Sequence, residues 1–182
     1  MFRRGSGAGK GSGKACCGGG HFDNQRVGSG CDTEALLGAL EKGGKCVVVL
    51  TGGINRVYPR CNEGLMKEII ERGGCVISEY APDADPKKFT FVERDRLQSA
   101  LSCGVLVIAA ELESGTMETV KAAVKQSRRL AAYSAKIVKM TGNRYITDKG
   151  AVEIVSPEDI RGFYSDVRET MTYEQMSLFD KK

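Results

Sequence analysis

Five short runs of apolar and largely β-branched residues, most of them followed by a segment of helical period, constrain this chain more than any other feature. Cys46-Val47-Val48-Val49-Leu50 and Val105-Leu106-Val107-Ile108-Ala109 have no polar member, as expected of strands buried on both faces of a parallel sheet. Cys75-Val76-Ile77-Ser78 and Leu130–Tyr133 are shorter runs of the same kind, and Val152–Val155 is a last brief one. Between them, Asp32 or Thr33 caps a helix to about residue 42 and Asn62 caps one to Arg72. Further helical patterns cover about 92–101 and 116–126. Ser156-Pro157-Glu158-Asp159 opens a terminal helix, with proline at its first position and acids in its first turn. Repeated alternation of this kind predicts an α/β fold: a Rossmann-like parallel sheet with helices on both faces.

Charge and cysteine content exclude several classes. The net charge of +4 resides in residues 1–30, which carry Arg3, Arg4, Lys10, Lys14 and Arg26 against Asp23; the rest of the chain sums to zero. The basic pI is therefore no sign that the folded part binds nucleic acid, and such a claim must rest on a local patch. Seven cysteines include no C-x-x-C pair and the single histidine is His21, so buried or indifferent thiols are expected rather than a metal site. No apolar run reaches the roughly 20 residues of a membrane span, and no secretory leader opens the chain. A cytoplasmic location without membrane attachment is expected.

Residues 1–30 hold ten of the 23 glycines and no helical or strand period. They read as a Gly-rich, disordered segment ahead of a domain over 31–168 and a flexible tail over 169–182. A phosphate loop at Gly7–Lys14 is rejected, because the G-x-x-x-x-G-K-S/T spacing is not met.

Ligands of such a sheet meet the loops at the carboxyl ends of its strands. Thr51-Gly52-Gly53-Ile54-Asn55-Arg56 follows the most apolar strand, with glycines for close approach and a cation beside them. Ser114-Gly115-Thr116 opens a helix whose N–H groups and dipole favour an anion. Both are equally readable as tight turns. Lys87-Lys88-Phe89-Thr90-Phe91 interleaves cations with rings, as single-strand sites do, with charge for phosphates and rings for bases. The alternative there is core rings and solvated cations.

Taken in order, Val47–Pro59, Ile77-Ser78-Glu79-Tyr80, Phe91–Arg96, Leu101-Ser102, Val105–Val107 and Ser114-Gly115-Thr116 resemble the DNA-processing proteins DprA, also called Smf. Gly142-Asn143 through Gly150-Ala151 to Ser156–Asp159 is similar to the end of that family's domain, so the resemblance covers roughly residues 31–162. It implies a single-stranded DNA-binding recombination mediator that helps load the recombinase RecA, notably in transformation. It implies neither an enzyme nor a cofactor, and leaves a homodimer open. By position, the family's glycine loop falls on Gly52 and Gly53, and its S-G-T loop on Ser114, Gly115 and Thr116. Its R-N-R element falls on Arg94-Asp95-Arg96, where aspartate replaces asparagine. Arg56, Lys88, Arg94 and Arg96 are the candidate phosphate cations, and Phe91 the candidate stacking ring.

The rival reading is a nucleotide-binding sensor or phosphoribohydrolase-like enzyme on the same fold. That group uses G-G-x-G-T-x-x-E, whereas here Glu118 stands one place early and the leading glycines are missing. A helix turns about 100° per residue, which disfavours the enzyme.

The family's first strand, its Gly-Ser-Arg turn and its S-G-L-A-x-G strand have no counterpart here. Written as degenerate codons and read one base later, residues 22–30 allow Ser-Thr-Ile-Ser-Gly-Leu-Ala-Leu followed by glycine, which joins onto Cys31-Asp32. Residues 1–30 are accordingly expected to be out-of-frame translation, leaving the sheet without its first strand and helix and with an exposed edge. Near the other end, Gln175-Met176-Ser177-Leu178-Phe179 resembles the Q-x-x-L-F peptide that docks on bacterial sliding clamps, with Gln175, Leu178 and Phe179 as anchors. A tail folded back onto the domain is the alternative.

Overall fold

The computed structural model describes residues 13–15 and 31–179. The elements run β1 (Gly13–Ala15), α1 (Cys31–Glu41), β2 (Val47–Val49), a short 3-10 turn (Arg60–Asn62), α2 (Glu63–Glu71), β3 (Cys75–Ile77), α3 (Lys88–Leu101) and β4 (Gly104–Ala109). They continue as α4 (Thr116–Lys125), β5 (Arg129–Tyr133), α5 (Ala135–Val138), α6 (Thr141–Asp148), β6 (Val152–Ile154) and α7 (Pro157–Phe179). The reading of residues 1–30 as out-of-frame and disordered lies outside the described residues, except at Gly13–Ala15.

The strands form two groups. β2 and β3 pair in parallel, Val48 opposite Val76. β4, β5 and β6 pair in parallel, with Leu106 opposite Ala131 and Ala132 opposite Glu153. β1 closes the other edge of β4 antiparallel, with Lys14 opposite Val107. Among the described residues, no ladder joins β2 to β4.

β4 explains why helices lie on both faces. Its side chains alternate, as the two-residue period of a strand requires. Val105 and Val107 pack with Met117, Val120 and Ala123 of α4 and Ile146 of α6. Leu106 packs with Ala131, Ile154 and Phe163, the last on α7. A separate cluster joins α1 and α2 to β2 through Leu36, Leu40, Val48, Met66 and Ile69. Cys46 belongs to it, whereas Cys61 and Cys75 are exposed.

Helix ends carry local signals. Asp159 accepts hydrogen bonds from the Val155 and Ser156 amides at 2.9 and 2.8 Å and from the Ser156 hydroxyl, and these hold its carboxyl below the ordinary carboxylate range. The helix they open runs on to Phe179, into the segment expected as a tail. α3 begins at Lys88, several residues before its expected start, because the Thr90 hydroxyl accepts the Lys87 amide at 3.0 Å and donates to the Lys87 carbonyl at 2.7 Å. Among the described residues, no helix is long and apolar enough to cross a membrane.

Candidate nucleic-acid interface

Parallel strands bring their exit loops to one end of a sheet, and each of the two glycine turns follows such a strand, β2 and β4. The Gln126 side chain, just beyond α4, donates to the Arg96 carbonyl at 3.0 Å, and Arg128 donates to the Ala100 carbonyl at 2.9 Å. α3 and α4 therefore pack together, with the C-terminal half of α3 beside the end of α4. α4 opens at Ser114-Gly115-Thr116, directly after β4. α3 opens at Lys87-Lys88, directly after the loop that covers Gly52 and Gly53.

That cover is close. A Cβ at Gly53 would lie 2.1 Å from the Ala81 carbonyl oxygen and 2.2 Å from that of Pro82, and one at Gly52 would lie 2.8 Å from that of Ala84. The Gly53 amide donates to Ala84, the Asn55 amide to Pro82, and the Ser78 hydroxyl to the Gly52 carbonyl. The glycines therefore admit the chain's own segment 81–86, and the Gly53 amide is already engaged. Arg56 stands at the rim, its Nε 3.4 Å from the Asp83 carbonyl and 3.7 Å from the Asp85 carboxylate, and Asn55 donates to the Asp83 carboxylate.

The Ser114-Gly115-Thr116 turn is more open. Gly115 is exposed and Ser114 half-buried, while Thr116 is buried with its hydroxyl oxygen unpartnered. Ser114 is fixed by its amide and hydroxyl, both donating to the Glu111 carbonyl. The whole turn is latched from α6. Asn143, fully buried, accepts the Ala110 amide at 2.8 Å and donates to the Ile108 and Tyr133 carbonyls at 3.1 and 2.9 Å. Gly142 donates to the Ala110 carbonyl, and its missing Cβ would sit 2.5 Å from that oxygen. Thr141 bonds to the Glu111 carboxylate and accepts the Leu112 amide. Gly142-Asn143 was matched in the sequence by similarity alone; its work as a clamp on β4 and β5 was not legible there.

α3 sorts the remaining candidates by helical phase. Lys88 is exposed on the first turn. Phe91 turns inward and meets Tyr58 edge-on, ring centroids 6.2 Å apart. Phe89, two residues earlier, is 56% exposed, with the Lys87 ammonium 5.9 Å from its ring centre; it is the outward ring of the pair. Arg94 is buried against the Asp95 carboxylate at 3.1 Å, so as placed it braces the helix. The aspartate in the R-D-R element supplies its countercharge. Arg96 is exposed but grips both Glu79 carboxylate oxygens, at 2.8 and 3.0 Å. Tyr80 donates to Glu93 at 2.6 Å. Burial, then the carboxylates of Glu93 and Glu79, push its pKa up to about 12. Glu118, the acid of the rival reading, is paired with Lys121 at 2.7 Å. Of the tail anchors Gln175, Leu178 and Phe179, the structure describes the helical backbone.

Comparison with known proteins follows the same span. Residues 27–165 match the model of a family described as DNA recombination-mediator protein A. Protein Smf of Escherichia coli (strain K12) is 35% identical over 133 residues, which are 72% of this chain and 36% of that protein. DNA processing protein DprA of Streptococcus pneumoniae is 33% identical over 133 residues, 72% of this chain and 47% of that one. The chain thus spans between about a third and a half of these relatives. The X-ray structure of Streptococcus pneumoniae DprA superposes with a TM-score of 0.62 at 31% identity, covering 74% of this chain and 48% of that one. A structure of DNA processing protein A from Helicobacter pylori, described as giving insight into that protein's single-stranded DNA binding mode, reaches 0.62 at 27% identity and covers 79% and 62%.

Proposed function

Because this chain belongs to the DNA recombination-mediator protein A family, the DprA/Smf proteins, we propose that it binds single-stranded DNA and acts non-enzymatically in the cytoplasm. In this reading it assists RecA loading in DNA uptake or recombination. What supports it best is that the Ser114-Gly115-Thr116 turn and the exposed Lys87-Lys88-Phe89 segment open two helices, α4 and α3, that pack against each other. A helix N-terminus and two exposed ammonium groups take phosphates, and an exposed ring takes a base. Gly52, Gly53 and the rim cation Arg56 shape the adjoining wall. Fluorescence anisotropy with single- and double-stranded oligonucleotides tests the reading. Preference for the single strand, weakening steadily as salt rises, is expected; equal affinity for the duplex, or binding indifferent to salt, overturns it. Docking of Gln175, Leu178 and Phe179 on a sliding clamp is a separate part of the proposal. A peptide of residues 170–182 should bind a bacterial clamp and lose binding when Leu178 and Phe179 become Ala.

A further inference from the structure

Beside the Ser114-Gly115-Thr116 turn lies a groove of about 840 Å³, formed by α5, α6 and the start of β6. Its charged lining is Lys136, Lys139, Arg144, Asp148 and Glu153, with Thr141 among the other polar residues. These charges are segregated. Lys136 and Lys139 lie on and just after α5, and Arg144 on the first half of α6, whereas Asp148 ends α6 and Glu153 lies in β6. Among the described residues, neither lysine has an acid within ion-pair distance, and Arg144 is held only loosely by Asp148 at 3.7 Å with both side chains in solvent. Lys139 caps α5 in the left-handed conformation (φ 54°), turning the chain directly into α6.

The cationic half is the half that adjoins the S-G-T turn. Thr141 lines the groove and bonds both Glu111 and the Leu112 amide of the loop leading to Ser114. The groove and the turn are therefore consecutive stations along one rigid surface.

We propose that this groove carries the next stretch of the same polynucleotide, with Lys136, Lys139 and Arg144 meeting successive phosphates of a single strand that leaves the S-G-T turn. The inference rests on the single-strand reading of the turn and extends it to a second segment. A single-strand track needs spaced cations more than base-reading groups, and three fit a strand crossing one short helix pair. The mixed acids at the far end give the strand an exit.

The test compares the full chain with its Lys136→Gln/Lys139→Gln/Arg144→Gln variant on oligothymidylates of about 6 and about 25 nucleotides, lengths that bracket one single-strand site. All three side chains are exposed, so an unchanged melting temperature is expected. The short oligonucleotide should bind both proteins alike. The long one should bind the variant on the order of tenfold more weakly, with the log–log salt slope flatter by about 2. Retention of the full length advantage by the variant overturns the groove and leaves the turn standing. An equal loss at both lengths also overturns it, since the groove would then be no separate station. Absence of binding at either length in the parent chain overturns the single-strand reading and the groove with it.

Discussion

Asn143 offers the sharpest test of how the fold holds its site. The side chain is wholly buried and makes three hydrogen bonds of 2.8 to 3.1 Å to the backbone at the ends of β4 and β5. Replacing it with Ala orphans the Ala110 amide, itself fully buried, and an unsatisfied buried donor costs about 1–3 kcal/mol. Two carbonyls lose a donor as well, and the removed amide leaves a void. Together these set the expected loss at about 3–4 kcal/mol. With a urea dependence of about 2 kcal/mol per molar, the unfolding midpoint should fall by about 1.5–2 M.

Asn143→Asp separates hydrogen bonding from mere space filling. The isosteric carboxylate can still accept the Ala110 amide, but it faces the Ile108 and Tyr133 carbonyl oxygens with negative charge where a donor is required. Its folded-state pKa is then raised above the ordinary aspartate value of about 3.9. The sign follows: the penalty is greatest at neutral pH and shrinks as pH falls through the folded pKa, because protonation restores one donor. Urea melts of both proteins at neutral pH and at about pH 5 read this as a narrowing gap. A midpoint shift below about 0.5 M for Asn143→Ala, or an Asn143→Asp gap that widens on acidification, would refute the clamp.

Two further substitutions separate packing from binding. Gly53→Ala places a Cβ 2.1 Å from a backbone oxygen, so segment 81–86 must move. The expected cost is about 3 kcal/mol, whereas Gly38→Ala in open space on α1 should gain about 0.5–1 kcal/mol; thermal melts decide both. Phe89→Ala should leave the melting temperature unchanged and weaken single-strand binding on the order of tenfold. Phe91→Ala should lower the melting temperature instead, and anisotropy beside thermal melting shows which ring stacks.

The strands were legible because continuous β-branched runs such as Val47-Val48-Val49 have no other comfortable place than a covered sheet, and the helices between them followed from apolar spacing. α5 and α6 escaped notice because Thr141–Asp148 offers a glycine, an asparagine and a single buried aliphatic side chain, Ile146. Its helix exists through its contacts with β4 and β5. The exchange of Phe89 for Phe91 has a plainer cause. On a helix, residues two apart point about 200° from each other, so one ring must face out and the other in. Phe91, Arg94, Asp95 and Gln98 fall on the inner stripe, Phe89, Val92 and Arg96 on the outer. With the helix start placed near residue 92, that phase could not be applied to either ring.

The same logic divides the two glycine turns, which look interchangeable as strings of letters. A glycine after a parallel strand signals close approach of something, and at Gly52-Gly53 that something is the chain itself. Segment 81–86 occupies the space and brings Asp83 and Asp85 to Arg56, so the rim carries both signs of charge. Approach of a phosphate from that side meets two carboxylates. Removing Asp83 and Asp85 should then widen the angle of approach without creating a new anchor, and would raise the association rate at low salt more than it slows dissociation.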